Sequence, residues 1–176
     1  MKPGRRVVLG VTGSIAAYKA AEIVRGLVKA GSEVRCVLTP AAATFVSPLT
    51  LSVLSRHRVY VKGDDPSLWD MAHLSLASWA QLVVIAPATA DCLARLAGGR
   101  AEGLLDALVL SYQGPLALAP AMDSEMWQHP AVKRNLETLK SFGYSIWGPE
   151  KGPLASGKNG WGRLMDPAEI VRRCLK

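Results

Sequence analysis

Most of the residues that could do chemistry stand directly after short apolar runs of the chain. Backbone N–H groups at a helix start and nearby hydroxyls bind anions, so Gly13, Ser14 and Thr39 are candidates for a phosphate site. The alternatives are that the first segment is only a tight turn and that Thr39 only caps the helix beginning at Pro40. Four segments have this placement: Thr12-Gly13-Ser14, Thr39-Pro40, Pro87-Ala-Thr-Ala-Asp91 and Pro120-Ala-Met-Asp-Ser-Glu-Met-Trp127.

Side chains that could act as acids, bases or metal ligands are few. His73 borders the apolar stripe of a predicted helix, where it is either a general base or a histidine without a catalytic part. Asp123 is placed to cap a helix, and a cap is a sufficient structural reason for an aspartate there. No metal site is predicted, because the cysteines do not pair with histidines at ligand spacing. The residues concerned are Cys36, Cys92, Cys174, His57, His73 and His129.

Alternating strands and helices must position these residues. The predicted strands are Val7–Val11, Glu33–Leu38, Gln81–Ala86, Pro115–Ala119 and Tyr144–Trp147. The predicted helices are Ala16–Lys29, Pro48–Ser55, Met71–Trp79, Cys92–Ala97, Gly103–Tyr112, Pro130–Phe142 and Pro167–Leu175, with a helical turn over 41–45 and exposed loops over 56–69 and 152–163. This alternation predicts an α/β fold: one Rossmann-like (flavodoxin-like) domain over residues 1–176, a parallel sheet with helices on both faces. Ligands of such sheets bind beyond the carboxyl ends of the strands, where the polar segments stand.

The composition of the chain limits the classes of binding partner that are expected. The net charge of +7 suits an anionic ligand, but the Lys and Arg residues are dispersed, so no nucleic-acid partner is expected. No apolar stretch approaches the roughly 20 residues that cross a bilayer, so no membrane partner is expected. The apolar run after Arg5-Arg6 contains Gly10, Thr12 and Gly13, which favours a buried strand over an export signal. The scattered cysteines favour a reducing compartment, and a cytoplasmic location is predicted.

Several motifs together resemble the flavin-dependent cysteine decarboxylases, the family of phosphopantothenoylcysteine decarboxylase and of the lantibiotic peptidyl-cysteine decarboxylases. The motifs are His73-Leu-Ser-Leu-Ala-Ser-Trp79, Pro87-Ala-Thr-Ala-Asp91, the segment 120–127, and Gly152-Pro-Leu-Ala-Ser-Gly-Lys-Asn-Gly-Trp-Gly-Arg163. The resemblance runs from Val8 to Pro167 and implies FMN as cofactor. It implies catalytic roles for His73, Asp123 and Ser156, and substrate contacts from Asp123, Met126 and Ser156. The FMN-binding residues that it implies are Gly13, Ser14, Ile15, Thr39, Phe45, Pro87, Ala88, Thr89 and Met122.

The sequence departs from the family pattern at two reactive positions. Asp123 stands where the family has Asn, and Ser156 stands where the coenzyme A branch has the Cys of Leu-Ala-Cys-Gly. An aspartate would repel a substrate carboxylate unless it is protonated or bridged. Further departures are Gln81 for Asp and Glu102-Gly103 for Asp-Asn.

The resemblance also implies a reaction. FMN takes a hydride from the cysteine β-carbon after His73 removes the thiol proton, carbon dioxide leaves, and an ene-thiolate remains. In the coenzyme A branch a Cys then protonates this product so that it can be reduced. A serine hydroxyl is a far weaker acid than a thiol, so Ser156 predicts that the reaction stops at the ene-thiol. The favoured prediction is therefore oxidative decarboxylation of a C-terminal peptidyl-cysteine, which leads to aminovinyl-cysteine.

Three alternatives stay open: phosphopantothenoylcysteine decarboxylase of coenzyme A biosynthesis, an engineered Cys→Ser variant of such an enzyme, and a non-catalytic FMN-binding homologue. In each enzymatic case the substrate, a peptide or a small molecule, ends in a cysteine carboxylate. The resemblance further implies a homo-oligomer, a trimer that sometimes assembles to a dodecamer, with the flavin between protomers. The glycine-rich loop 152–163 is expected to close over the substrate as a lid.

Overall fold

The computed structural model describes residues 4–61 and 71–176. Within them a parallel sheet of six strands has the order β3-β2-β1-β4-β5-β6, which is that of doubly wound Rossmann-type sheets. The strands are β1 Arg6–Val11, β2 Glu33–Leu38, β3 Val59–Val61, β4 Leu82–Ala88, β5 Leu116–Pro120 and β6 Ser145–Ile146. The predicted fold class is confirmed.

Helices cover both faces of the sheet. They are α1 Ala20–Lys29, α2 Pro48–Ser55, α3 Ala72–Trp79, α4 Ala90–Ala97, α5 Leu104–Ser111, α6 Ser124–Gln128, α7 Pro130–Ser141 and α8 Pro167–Cys174, with 3-10 turns at Ile15–Lys19 and Ala42–Thr44. Alternate residues of each strand point to opposite faces. Val7 and Leu9 therefore pack in a core with α1, α2 and α8, while Val8 packs in a second core with α3, α4, α5 and α7.

Three elements differ from the prediction. The strand Val59–Val61 lies inside the segment predicted as a loop over 56–69; residues 62–70 of that loop lie outside the described residues. The helix predicted from Ala16 starts as a 3-10 turn at Ile15 and becomes α-helical at Ala20. The loop predicted over 152–163 contains the antiparallel hairpin β7 Glu150–Pro153 and β8 Asn159–Arg163.

The strand order reverses direction between β1 and β4, which pair side by side in the middle of the sheet. Successive crossovers from these two strands run to opposite sides, so a crevice opens beyond their carboxyl ends. Among the described residues, no helix has both the length and the apolarity needed to cross a membrane. The described residues also contain no cluster of three or more His, Cys, Asp or Glu side chains arranged to hold a metal ion.

Candidate active site

A cavity of about 960 Å³ lies beyond the carboxyl ends of the strands, at the predicted crevice. Its volume is in the range of cavities that enclose a cofactor-sized ligand. Nine of the residues predicted to bind cofactor or substrate line it: Gly13, Ser14, Ile15, Thr39, Thr89, Met122, Asp123, Met126 and Ser156.

A buried threonine joins the two central strands at the floor of the crevice. Thr12 is 1% exposed, and its hydroxyl donates to the carbonyl oxygen of Pro87 at 2.7 Å. The Thr12 hydroxyl oxygen in turn accepts the backbone N–H of Thr89 at 3.0 Å. Pro87 and Ala88, predicted to bind the cofactor, do not line the cavity; they form the end of β4, and Pro87 and Thr89 make this connection.

The end of the cavity that is predicted to bind an anion is built from two turns that approach closely. A Cβ added to Gly13 would stand 2.5 Å from the Cβ of Ala41, so only glycine lets the turn after β1 pack against the turn after β2. The Ser14 hydroxyl oxygen accepts the N–H of Ala16 at 3.2 Å, and that of Thr39 accepts the N–H of Ala42 at 3.2 Å. Thr39 thus makes the predicted capping contact, and Ser14 caps the 3-10 turn that follows it. Both contacts leave the hydroxyl hydrogen able to donate to a ligand.

A third hydroxyl group, that of Thr89, also lines the cavity. Thr89 caps α4 by accepting the N–H of Cys92 at 3.3 Å, which also leaves its own hydrogen for a ligand. The side chain of Arg163, in the cavity wall, has a buried Nε without a hydrogen-bond partner among the described residues. Apolar walls from Ile15, Met122 and Leu105 complete the space. Hydroxyl donors, a cation and apolar walls fit the phosphate and the ring system of FMN.

Asp123 and Ser156, the two reactive departures from the family pattern, are in direct contact. The Ser156 hydroxyl donates to Asp123 Oδ2 with an oxygen–oxygen distance of 2.5 Å. The other carboxylate oxygen, Oδ1, accepts the N–H of Glu125 at 3.3 Å and so caps α6. Hydrogen bonds with the Glu125 side chain and with Ser156 lower the pKa of Asp123 to about 2, so the free site holds an ionised carboxylate.

The β7–β8 hairpin brings Ser156 to this position. Lys158 Nζ donates to Glu125 Oε1 at 2.5 Å, and the backbone N–H of Met122 donates to the carbonyl of Gly162 at 3.0 Å. Gly162 has φ +137°, and a Cβ there would stand 2.0 Å from the carbonyl oxygen of Met122. The hairpin is thus fixed to the start of α6 at both its tip and its second strand.

An ion-pair cluster in the opposite wall was not predicted from the sequence. Asp106 is 2% exposed, and its Oδ2 accepts from Arg95 Nε at 2.9 Å. Arg95 also contacts Asp91 one helical turn earlier and lies 4.0 Å from Glu102. The signal was available, because a lone carboxylate inside the apolar helix Leu104–Ser111 requires a buried partner.

Besides Pro87 and Ala88, two predicted site residues do not line this cavity. His73 is half-buried on α3, and Phe45 follows the turn after β2 with 46% of its surface exposed. Neither lines the cavity of its own chain. Met126, predicted to contact the substrate, does line it and is 48% exposed.

Comparison with known proteins identifies a family and relatives that agree with one another. The family described as Flavoprotein matches residues 1–176. The coenzyme A biosynthesis bifunctional protein CoaBC of Vibrio cholerae is 45% identical over 172 residues, covering 97% of this chain and 43% of the relative. CoaBC of Escherichia coli is 45% identical over 169 residues, covering 96% and 42%. The chain therefore spans less than half the length of these relatives.

Solved structures agree with the same family. A Cys-to-Ser mutant of PPC decarboxylase complexed with pantothenoylaminoethenethiol is 33% identical with a TM-score of 0.88, covering 98% of this chain and 96% of that one. The FMN binding protein AtHal3 is 32% identical with a TM-score of 0.86, covering 97% and 94%. The FMN-dependent cysteine decarboxylase SpaF is 32% identical with a TM-score of 0.80, covering 97% and 95%.

Proposed function

Because this chain belongs to the Flavoprotein family, and within it to the flavin-containing cysteine decarboxylases, we propose that it decarboxylates phosphopantothenoylcysteine with FMN as cofactor. The observation that carries the proposal is the single cavity that unites the hydroxyl donors of the strand ends with the Asp123–Ser156 pair. The identity to CoaBC proteins supports the coenzyme A substrate better than the peptidyl-cysteine favoured from the sequence.

The residues of the chain divide into those that would hold FMN and those that would hold substrate. Gly13, Ser14 and Thr39 would bind the phosphate, and Thr89 and Met122 would contact the ring system. When bound, FMN would supply the hydride acceptor that a simple cysteine carboxylate lacks. Apolar walls would exclude water from the reacting carbon.

The thiol base is proposed to come from a second copy of the chain. His73 remains the proposed base, yet it does not line the cavity of its own chain. A homo-oligomer, trimeric as the family resemblance implies, would bring His73 of one copy to the cavity of the next. Exposed apolar side chains on the turn after β1 and on α2 support such contacts: Ile15, Tyr18, Leu49 and Val53.

A second candidate is oxidative decarboxylation of a peptide that ends in cysteine. It is supported by Ser156, which replaces the cysteine of the coenzyme A branch, and by the similarity to SpaF. The two candidates differ in product, because the peptide reaction stops at the ene-thiol whereas the coenzyme A reaction continues to the aminoethanethiol.

Mass spectrometry of two reactions separates the candidates. FMN-loaded protein is incubated with phosphopantothenoylcysteine in one and with a short peptide ending in Cys in the other. The proposal expects loss of carbon dioxide alone from phosphopantothenoylcysteine. Loss of carbon dioxide and two hydrogens from the peptide only would favour the second candidate. An unchanged mass in both reactions, with FMN bound, would refute both and favour a non-catalytic FMN-binding protein.

A further inference from the structure

The contact between Asp123 and Ser156 crosses two separate segments of the chain. Asp123 is the N-cap of α6, and Ser156 lies in the tip of the β7–β8 hairpin. Their oxygen–oxygen distance of 2.5 Å is at the short end of the range for a hydroxyl bound to a carboxylate. Both residues line the cavity, and each replaces a residue to which the family resemblance gives a role at the substrate. Because the two replaced residues touch each other, one shared role can explain both replacements.

We propose that Asp123 and Ser156 form a proton-delivery pair, in which Asp123 stores a proton and Ser156 passes it to the carbon that has lost carbon dioxide. The proposal rests on the proposed function, since it concerns the second half of that reaction. It assigns to this pair the step that a cysteine performs in the coenzyme A branch.

The substrate itself would load the proton. Asp123 is ionised in the free site, and a substrate carboxylate that enters the cavity places a second negative charge beside it. Two carboxylates that share one site repel each other, which raises the pKa of at least one of them and favours uptake of a proton from solvent. Hydrogen bonds with Glu125 and Ser156 and the charge of Lys158 lower the pKa of Asp123 and oppose this uptake, so the repulsion from the substrate carboxylate has to outweigh them.

Proton transfer from Asp123 compensates for the weak acidity of the Ser156 hydroxyl. A serine that donated alone would be left as an alkoxide, which is strongly unfavourable. In the pair, the Ser156 O–H bond breaks as its hydrogen forms a C–H bond, and the Asp123 proton forms a new O–H bond at the same oxygen. Asp123 ends as a carboxylate and the ene-thiolate ends as a thioaldehyde. The transfer is redox-neutral, so it needs no reactant beyond those of the proposed function.

The products of four proteins test the pair. FMN-loaded wild type should convert phosphopantothenoylcysteine to the aminoethanethiol, with solvent deuterium at the decarboxylated carbon when the reaction is run in D₂O. Ser156→Ala and Asp123→Asn should each release the ene-thiol instead; asparagine caps helices as well as aspartate does, so α6 should keep its start. The double variant Asp123→Asn/Ser156→Cys should restore the aminoethanethiol.

The results that would contradict the pair differ from the result that would contradict the proposed function. Aminoethanethiol from Ser156→Ala at the wild-type proportion would overturn the pair and leave the proposed decarboxylation intact. Ene-thiol as the sole product of the wild type would do the same. Absence of any carbon dioxide loss by the wild type would refute the proposed function and, with it, the pair.

Proton uptake on binding gives a readout that does not depend on turnover. The alanine analogue of phosphopantothenoylcysteine keeps the carboxylate but has no thiol to react. Calorimetric titrations in buffers of different ionisation enthalpy should show that wild type and Ser156→Ala take up a proton with this analogue, whereas Asp123→Asn does not. Equal proton uptake by wild type and Asp123→Asn, or none by wild type, would overturn the proposal.

Discussion

At the scale of single residues, the buried carboxylate of Asp106 matters for the shape of the cavity wall. Its partner Arg95 has only 15% of its side chain exposed, and the pair joins α4 to α5. Asp106→Ala would leave the guanidinium without its buried acceptor, and we expect a loss of about 1–3 kcal/mol in the free energy of unfolding. Urea denaturation measures this change.

The exposed partner of Arg95 provides the matched control. Asp91 contacts the same guanidinium, but 75% of its side chain is exposed. Asp91→Ala should therefore cost less than about 1 kcal/mol. Equal losses for the two variants would show that burial of Asp106 does not set the strength of the pair.

The structural role of a single residue could be predicted from the sequence where one short segment is sufficient to define that role. The cap at Asp123 follows from its place before a helix and is confirmed. The bond between Asp123 and Ser156 could not be predicted, because it depends on a hairpin that folds back over 33 residues. The catalytic roles of these residues and of His73 stay predictions.

At the scale of elements, the strands of the sheet were predicted well wherever the apolar run was long and buried. The strand Val59–Val61 was not found, because three residues at a sheet edge carry little periodic signal. The β7–β8 hairpin was read as a loop since its strands are rich in glycine and contain few of the β-branched residues that favour strands.

The close approach of β8 to α6 gives a prediction for the hairpin as a unit. Gly162→Ala would place a Cβ against the Met122 carbonyl and force the hairpin away from Asp123. We expect decarboxylation to fall by about 10²-fold, the effect of a displacement of roughly 1 Å at a reacting group. Steady-state turnover of phosphopantothenoylcysteine by the FMN-loaded variant measures the loss.

Gly157→Ala controls for backbone strain in this test. Gly157 also has a positive φ of +82°, but an added Cβ there meets nothing within 4 Å. Both variants carry the strain of a left-handed residue, and only Gly162→Ala adds the clash. A comparable loss of turnover in both would contradict the role given to the close approach.

At the scale of the whole molecule, the three cysteines are packed into the cores rather than held for chemistry. Cys36, Cys92 and Cys174 are fully buried, and burial raises the pKa of each thiol to about 12. Thiolates therefore form more readily in the unfolded chain than in the native protein. The stabilising contribution is complete below pH 9 and is lost as the pH rises toward 12.

Thiol labelling tests this arrangement. At pH 8 a disulfide reagent should react with the native protein far more slowly than with urea-unfolded protein, at a rate set by opening of the fold. The free energy of unfolding, measured by urea at increasing pH, should decline above pH 9. Fast labelling of a native thiol at pH 8 would contradict the buried assignment.

Mixed oligomers test whether copies of the chain share a site. His73→Ala is expected to be inactive alone, and Asp123→Ala is expected to release the ene-thiol and form no aminoethanethiol. Unfolded together in equal amounts and refolded with FMN, they should recover aminoethanethiol formation in about a quarter of the sites if each cavity takes its histidine from another copy. No recovery, with oligomers formed at normal yield, would place His73 and Asp123 in the same chain's site or remove His73 from the reaction.

The hydrogen bond between the cap of α6 and the hairpin tip also has an evolutionary consequence. A lone change from Asn to Asp at position 123 would bring an unpaired charge to the substrate, and a lone change from Cys to Ser at position 156 would remove the donor. Each intermediate is less fit than either end state, so lineages should carry the two residues together. Asp at position 123 should therefore be accompanied by Ser at position 156 among relatives, and the two positions should covary although they lie on different elements.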